Sequence, residues 1–354
     1  MIIDYFAAAN TARGFVNKFD QLTCDKNARI YLIKGGPGTG KSTFMKLLAA
    51  RADAEGEDVR KIHCSSDYES LDGVFLPDRG IVVLDATAPH CVDPRYPAVV
   101  ESILPFGEYW HREKLLPAKE QIIALTDKIS GTFQIIYRYL EAIGGLRAVQ
   151  KRCLSDAFRQ KAAREQIEKL LRKTALLPDT EEIKNEYRFA GALTAAGPIT
   201  FENALACKHT VVIDDTIFGA ALYMNVLSEL LDEMHQSRIV YLNSLYPDEI
   251  DHIVLPRHDL AFITKSALFP VQIQATLKTV ALKPLFDKTI LAADKNKLAF
   301  CKKTIAAIAD EIQQLMASEK ALHDELEQFY IQAMDFEALG QYTDQKLSEI
   351  LADS

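Results

Sequence analysis

The chain is poor in the features that would assign it to a special class. Its six cysteines, Cys24, Cys64, Cys91, Cys153, Cys207 and Cys301, show no paired Cys-x-x-Cys spacing. That argues against a disulfide framework, and reduced thiols are expected. No apolar run approaches the length that spans a membrane. The start, Met1-Ile2-Ile3-Asp4-Tyr5, lacks the basic segment and apolar core of a secretion signal. A cytoplasmic location without a membrane partner is therefore expected. Basic charge is also short: 41 Lys and Arg face 49 Asp and Glu, a net charge of −8. This argues against a protein that coats nucleic acid. What remains, 48% hydrophobic and 25% charged over 354 residues, is an ordinary globular balance. The length suggests about two domains.

One segment is unusual. Gly35-Gly36-Pro37-Gly38-Thr39-Gly40-Lys41-Ser42 fits the phosphate-loop pattern of Gly, four residues, then Gly-Lys-Ser/Thr. Ile30-Tyr31-Leu32-Ile33 before it reads as a buried strand. Ser42 to Ala50 after it reads as a helix with Phe44, Leu47 and Leu48 on one face. Strand, loop and helix form the context this motif needs. Glycines let successive backbone N–H groups converge on an anion in conformations that a Cβ obstructs. The following helix aims its positive dipole end at the same point. Lys41 adds a charge for the β- and γ-phosphates, and Ser42 offers a hydroxyl to Mg2+. Gly35 to Thr43 are thus the expected contacts of a nucleoside triphosphate, with ATP and Mg2+ as cofactors.

Other residues join this chemistry by position. Ile81-Val82-Val83-Leu84-Asp85 is an apolar strand ending in a carboxylate. Asp85 is expected beside the loop as a second Mg2+ contact. Ala86 follows it, where many motor-type ATPases carry a water-activating glutamate, so fast hydrolysis is not expected. Val59 to Cys64 reads as another strand, with Ser65-Ser66-Asp67 at its end. Ligands of open α/β sheets sit outside such ends, so Asp67 either orients an acceptor or caps a simple turn. His63-Cys64 and His90-Cys91 would make a Cys2His2 zinc set only if brought together, and adjacent residues of a strand point to opposite sides. Asn17-Lys18-Phe19-Asp20 mimics a guanine-reading signature but precedes the loop, which makes it a decoy.

The chain also repeats itself. Phe6-Ala7-Ala8-Ala9-Asn10-Thr11-Ala12-Arg13-Gly14 resembles Phe189 to Gly197, and Leu71 to Pro77 resembles Ile250 to Pro256. Between these anchors, Ile30–Ile33 falls on Val211-Val212-Ile213. The helix with Met45 and Leu48 falls on the one with Met224 and Leu227. Gly40 meets Gly219, and Lys41 meets Ala220. The second copy reads Asp214-Asp215-Thr216-Ile217-Phe218-Gly219-Ala220, without lysine or hydroxyl and with two carboxylates that would repel phosphate. The pair either binds a cation or faces solvent at a strand end. Arg257, just after Leu255-Pro256, is a candidate to be lent to the first site.

Helical stretches follow each core. The first runs from about Tyr109 to Lys173 and is expected to break at Gly144-Gly145. The second runs from about Lys288 to Tyr330, with a short helix near Tyr342–Leu351. Ile122, Leu125, Ile129, then Ile167, Leu170 and Leu171, keep helical spacing. Lys151 to Lys173 is rich in Lys and Arg, either as a solvated face or as a lid over phosphates.

The segments Gly35–Thr43, His63–Pro77 and Gly80–His90 resemble a little-characterised family of bacterial P-loop proteins with two tandem halves, over nearly the whole chain. The resemblance implies an ATPase-like nucleotide binder and no particular substrate. The expected fold class is α/β: a P-loop NTPase-like doubly wound sheet, duplicated, with a helical hairpin after each core. The expected segments are a nucleotide-binding core at 1–107, a hairpin at 108–180, a degenerate core at 185–283 and a hairpin at 284–354. Three functions stay open: a slow Mg2+-dependent ATPase using Lys41, Ser42 and Asp85; a kinase for a small metabolite or nucleotide with Asp67 near the acceptor; and a switch that signals nucleotide state to a protein partner through its helices.

Overall fold

The buried runs of the sequence become the middle strands of two sheets. The computed structural model describes residues 1–25, 27–88, 91–174, 176–179, 183–273 and 276–352. The first half contains β1 (Ile2–Tyr5), β2 (Ala8–Thr11), β3 (Gly14–Asn17), the one-turn α1 (Asp20–Thr23), β4 (Arg29–Ile33), α2 (Lys41–Ala54), β5 (Val59–His63), β6 (Leu71–Leu76), β7 (Ile81–Asp85) and β8 (Glu101–Leu104). Then come α3 (Arg112–Leu115), α4 (Lys119–Ala157) and α5 (Gln160–Thr174). The second half runs through β9 (Asn185–Arg188), β10 (Gly191–Thr194), β11 (Gly197–Thr200), β12 (His209–Asp214), α6 (Ala220–Glu233), β13 (Arg238–Leu242), β14 (Ile250–Leu255), β15 (Leu260–Lys265) and β16 (Thr276–Ala281). It ends with α7 (Lys288–Ala293), α8 (Lys295–Ala333) and α9 (Phe336–Ala352).

The duplication is complete at the level of topology. The first sheet has the order β1-β5-β6-β7-β4-β8, and the second has β9-β13-β14-β15-β12-β16. In each, one strand, β6 or β14, runs antiparallel between parallel neighbours. Each half carries a small hairpin, β2-β3 or β10-β11. Equivalent contacts recur between the halves: Ala12 N–H donates to Leu245 O at 3.0 Å and Ala195 N–H to Ser66 O at 3.1 Å.

The doubly wound expectation is corrected here. Period-two alternation sends successive residues of a strand to opposite faces. Ile81 and Val83 face α2 beside Phe44, Met45 and Leu48. Val82 and Leu84 enter a core shared with Tyr241, Val254, Ala261 and Ile263 of the other half. Helices therefore cover one face of each sheet, and the other face joins the opposite half. On α2 the buried positions are Phe44, Met45, Leu48, Ala49 and Ala52, while Leu47 is 41% exposed. The expected Phe44–Leu47–Leu48 face is thus rotated by one position, because the 3.6-residue period groups 44, 48 and 52 with 45 and 49.

The helices following each core run past the hairpin of their own half and reach the other core. α4 and α8 have 39 residues each, about 58 Å at 1.5 Å per residue, and they pack along each other. At one end Trp110 bridges Met334, and at the other Phe158 bridges Phe286, so the pair is antiparallel. Beyond α4, α5 packs Ile167, Leu170 and Leu171 against α6. Beyond α8, α9 packs Leu339, Leu347 and Ile350 against α2. The expected break at Gly144-Gly145 does not occur: α4 continues through both. Gly144 is there for space, since a Cβ on it would stand 2.8 Å from Ala12 Cβ in the β2-β3 hairpin. The turn comes instead at Phe158. Among the described residues, no helix is long and apolar enough to cross a membrane.

Candidate functional site

The loop between β4 and α2 leaves an inner strand of the sheet. β4 sits between β7 and β8, and Ile33 pairs in register with Asp85. This brings the carboxylate at the end of β7 beside the loop. Gly38 (φ 66°) and Gly40 (φ 79°) adopt the left-handed backbone that a side chain would strain. Gly35 is buried, Gly36 and Pro37 are partly so, and the Thr39 hydroxyl closes the loop by donating to Gly36 O at 2.9 Å.

Lys41 folds over this ring. Its Nζ donates to Gly35 O at 2.8 Å and Gly36 O at 2.7 Å, and it stands 3.6 Å from Asp85 Oδ2. Both side chains are only 14% exposed, so the attraction is screened less than at the surface. Asp85 Oδ1 accepts from Thr87 N–H at 2.9 Å and from the Thr87 hydroxyl. Ser42 Oγ accepts from Leu71 N–H at 3.0 Å, which ties the loop to the start of β6. Thr43 is exposed. Lys41 and Asp85 are thus brought together, while Ser42, next to Lys41 in the chain, turns its hydroxyl to the start of β6.

Asp67 has a different neighbourhood from the one expected. It accepts from Ser70 Oγ at 3.1 Å and Glu69 N–H at 3.3 Å, the turn-forming alternative. It also meets Lys320 Nζ of α8 at 3.4 Å. α8 is expected as a helix, but its place against the loop is what the sequence does not show. Glu327 Oε1 accepts from Gly38 N–H at 3.1 Å. A Cβ on Gly38 would stand 2.9 Å from Ile331 Cγ1 and 3.1 Å from Glu327 O, so the helix lies directly on the loop. Trp110, packed on Gly36, stacks on Tyr330 with ring centroids 5.2 Å apart. Further along, Lys320 pairs with Asp324 at 2.9 Å. The ligand atoms of His323, Asp324 and Glu327 lie within 4.8 Å of one another. Burial pushes the Glu319 carboxyl up to about 7. The only signal in the sequence was the acidic run Glu319 to Glu327 at helical spacing, and nothing in it says which core the helix meets.

The second half holds its own carboxylate where the first half has its loop. Asp215 accepts from Gly219 N–H at 2.7 Å and Ala220 N–H at 3.0 Å, at the start of α6. Burial raises its pKa against those bonds. Asp215 therefore turns to the backbone of its own loop, which removes the solvent-facing alternative for that residue. Phe218 sits at φ 64°, and its carbonyl accepts from Arg147 of α4 at 3.0 Å. Arg147 also grips Glu249 at 2.7 Å, in a pair 11% and 7% exposed.

Three further possibilities raised by the sequence are answered. Arg257 pairs with Asp179 at 2.7 Å beyond the antiparallel β14, at the end of the sheet away from the loop. The basic stretch Lys151–Lys173 is no lid over Lys41, because it joins the second half, with Arg164 on Glu233 and Arg159 on Asp287. His63 spends its ring nitrogens on Tyr68 O at 2.6 Å and Asp4 Oδ1 at 2.7 Å, which takes it out of any zinc set. His90, its proposed companion, lies outside the described residues.

No family model matches this chain, no curated protein matches it, and no solved structure matches it. The functional reading rests on the loop, Lys41, Asp85 and the helix laid across them.

Proposed function

We propose that the chain is a P-loop nucleotide-binding protein, a tandem NTPase with one working loop, that binds ATP with Mg2+ and hydrolyses it slowly. The observation that carries this reading is the set of glycines at positive φ between β4 and α2, with Lys41 folded over them and Asp85 at 3.6 Å. The donors fit a polyphosphate: Gly38 N–H already bonds a carboxylate oxygen, so it accepts an anion. Ser42 Oγ and Asp85 Oδ2 are the oxygens that would hold the metal, whose bound charge would offset that of the phosphates. Lys41 would leave the Gly35 and Gly36 carbonyls for the β- and γ-phosphates, a better partner for an ammonium than a neutral carbonyl. Ala86 beside Asp85 offers no base for water, which supports slow turnover. The free cysteines are in keeping with a cytoplasmic location.

The helix on the loop favours a second reading, a nucleotide-dependent switch with negligible turnover. No observation favours the metabolite kinase, since Asp67 is taken up by Ser70, Glu69 and Lys320. The test is a calorimetric titration of the full chain with a non-hydrolysable ATP analogue and Mg2+. One nucleotide per chain, lost in Lys41→Ala, is expected. Two per chain, or unchanged binding in Lys41→Ala, would sink the assignment.

A further inference from the structure

We infer that α8 is a releasable cover of the nucleotide loop, with Glu327 holding the place of a phosphate until a nucleoside triphosphate displaces it. The inference rests on the nucleotide reading of the loop and adds its regulation: binding there is coupled to the undocking of a helix that belongs to the second half.

Competition is the first argument. A glycine loop has few backbone donors to offer an anion, and the Gly38 N–H is engaged by Glu327 Oε1 at 3.1 Å. A phosphate oxygen and that carboxylate cannot share the donor on good geometry. Crowding adds to this, because Ile331 and the Glu327 carbonyl pack directly on Gly38. Charge acts in the same direction. Glu327 on the loop has Asp324 within 4.8 Å, and Lys320 links Asp324 to Asp67. An incoming triphosphate would repel these carboxylates and be drawn to Lys41.

The second argument is the contrast with the other half. There the backbone donors at the start of α6 are taken by Asp215, four and five residues earlier in the same loop. The equivalent helix, α4, is locked by the buried Arg147–Glu249 pair and the bond to Phe218 O. On the first half the competing carboxylate comes from a distant element. The ion pair that α8 makes there, Lys320–Asp67, is 37% and 30% exposed, and exposed pairs hold weakly. One end of the helix pair is built to stay shut, and the other to open.

The chain has a single tryptophan, Trp110, lying between Gly36 and Tyr330 of α8. Its emission therefore reports whether α8 is docked. The experiment compares full-length wild type with Glu327→Ala and Glu327→Gln, by calorimetry with a Mg2+-bound non-hydrolysable ATP analogue and by Trp110 emission before and after ligand. In wild type, ligand is expected to red-shift the emission. Glu327→Ala is expected to bind about tenfold more tightly, since apparent affinity scales with the competent fraction. Its emission should already be shifted without ligand, with Glu327→Gln between the two. Equal affinities together with unmoved emission would overturn the cover and leave the nucleotide reading standing. A shift in ligand-free Glu327→Ala with no nucleotide bound by any of the three proteins would overturn the nucleotide as the displacing ligand, and the proposed function with it.

Discussion

Phe6 and Phe189 donate a backbone hydrogen bond to each other, N–H to carbonyl, at 2.9 Å in both directions. Each is the other's counterpart in the sequence repeat. A residue that pairs with its own copy marks a local two-fold axis, so the halves are arranged as the subunits of a symmetric dimer would be. Phe6, Ala9, Phe189 and Ala192 bury this contact. The symmetry makes the differences between the halves informative, because the strand order is shared while the loops before α2 and α6 differ, with Gly40 at φ 79° and Gly219 at φ −100°.

The two glycines of α4 should respond oppositely to alanine. Gly145 has open space around its missing Cβ, so Gly145→Ala should stabilise by about 0.5–1 kcal/mol through helix propensity. Gly144→Ala would gain the same propensity but meet Ala12 Cβ at 2.8 Å, where overpacking costs about 1–3 kcal/mol. Urea unfolding monitored by circular dichroism measures both. Equal stabilisation would mean that the crossing of α4 over the β2-β3 hairpin is loose.

The two helix locks should differ in strength. Arg147→Ala strands Glu249 in a buried setting, with Lys151 at 3.9 Å as the remaining cation among the described residues. A loss of about 3–5 kcal/mol is expected. Lys320→Ala breaks an exposed pair and should cost at most about 1 kcal/mol. Chemical denaturation of both variants at one pH decides the ranking, and the reverse order would remove the asymmetry between the halves.

Lys41→Ala should lose about 1.5–3 kcal/mol of ATP affinity or more, with little change in fold. Asp85→Asn should weaken Mg2+-dependent turnover more than nucleotide binding in EDTA, as expected of a charge that acts through the metal. Phosphate release and calorimetry with and without EDTA separate the two. An equal loss in both conditions would make Asp85 a structural partner of Lys41 and Thr87 only.

Stability should carry a trace of Glu319. Burial raises its carboxyl to about 7 from an ordinary 4.5, so the folded state holds a proton that the unfolded state releases. Its contribution is therefore favourable at low pH and declines as pH rises from about 4.5 to about 7. Asp251, also raised to about 7 by burial, acts in the same direction. His252, pushed down to about 3 by burial, acts in the opposite one. The difference between Glu319→Gln and wild type isolates the first group. It should move in favour of the variant across pH 4.5–7 and flatten above, as read by thermal unfolding in a pH series. A constant difference would place Glu319 in water.

The sequence was most legible where local rules suffice. The glycine spacing, the strand before it and the apolar run ending in Asp85 identify residues that do converge. The repeat anticipates two sheets of one topology. Three things were not legible. Leu47 was misread because a helix face is set by what packs on it, here β6 and α9. Gly144 reads as a breaker, although it serves a close crossing with a hairpin more than a hundred residues earlier. The destination of α4 and α8 is a matter of docking: their half-buried stripes match either core, and no rule of spacing distinguishes them. Glu327 was invisible for that reason.

The exchange of helices has a consequence for how the chain is made. α9 finds α2 already synthesised when it leaves the ribosome. α5 does not find α6, which ends at Glu233, roughly 60 residues later. At about 5–20 residues per second, Ile167, Leu170 and Leu171 stay without their partner for several seconds on every nascent chain. During that interval the newly made α6 of a neighbouring nascent chain, before its own α5 has docked, offers the same surface. Crowded translation of one message thus gives this protein a route to intertwined dimers that refolding from dilute denaturant would not reproduce.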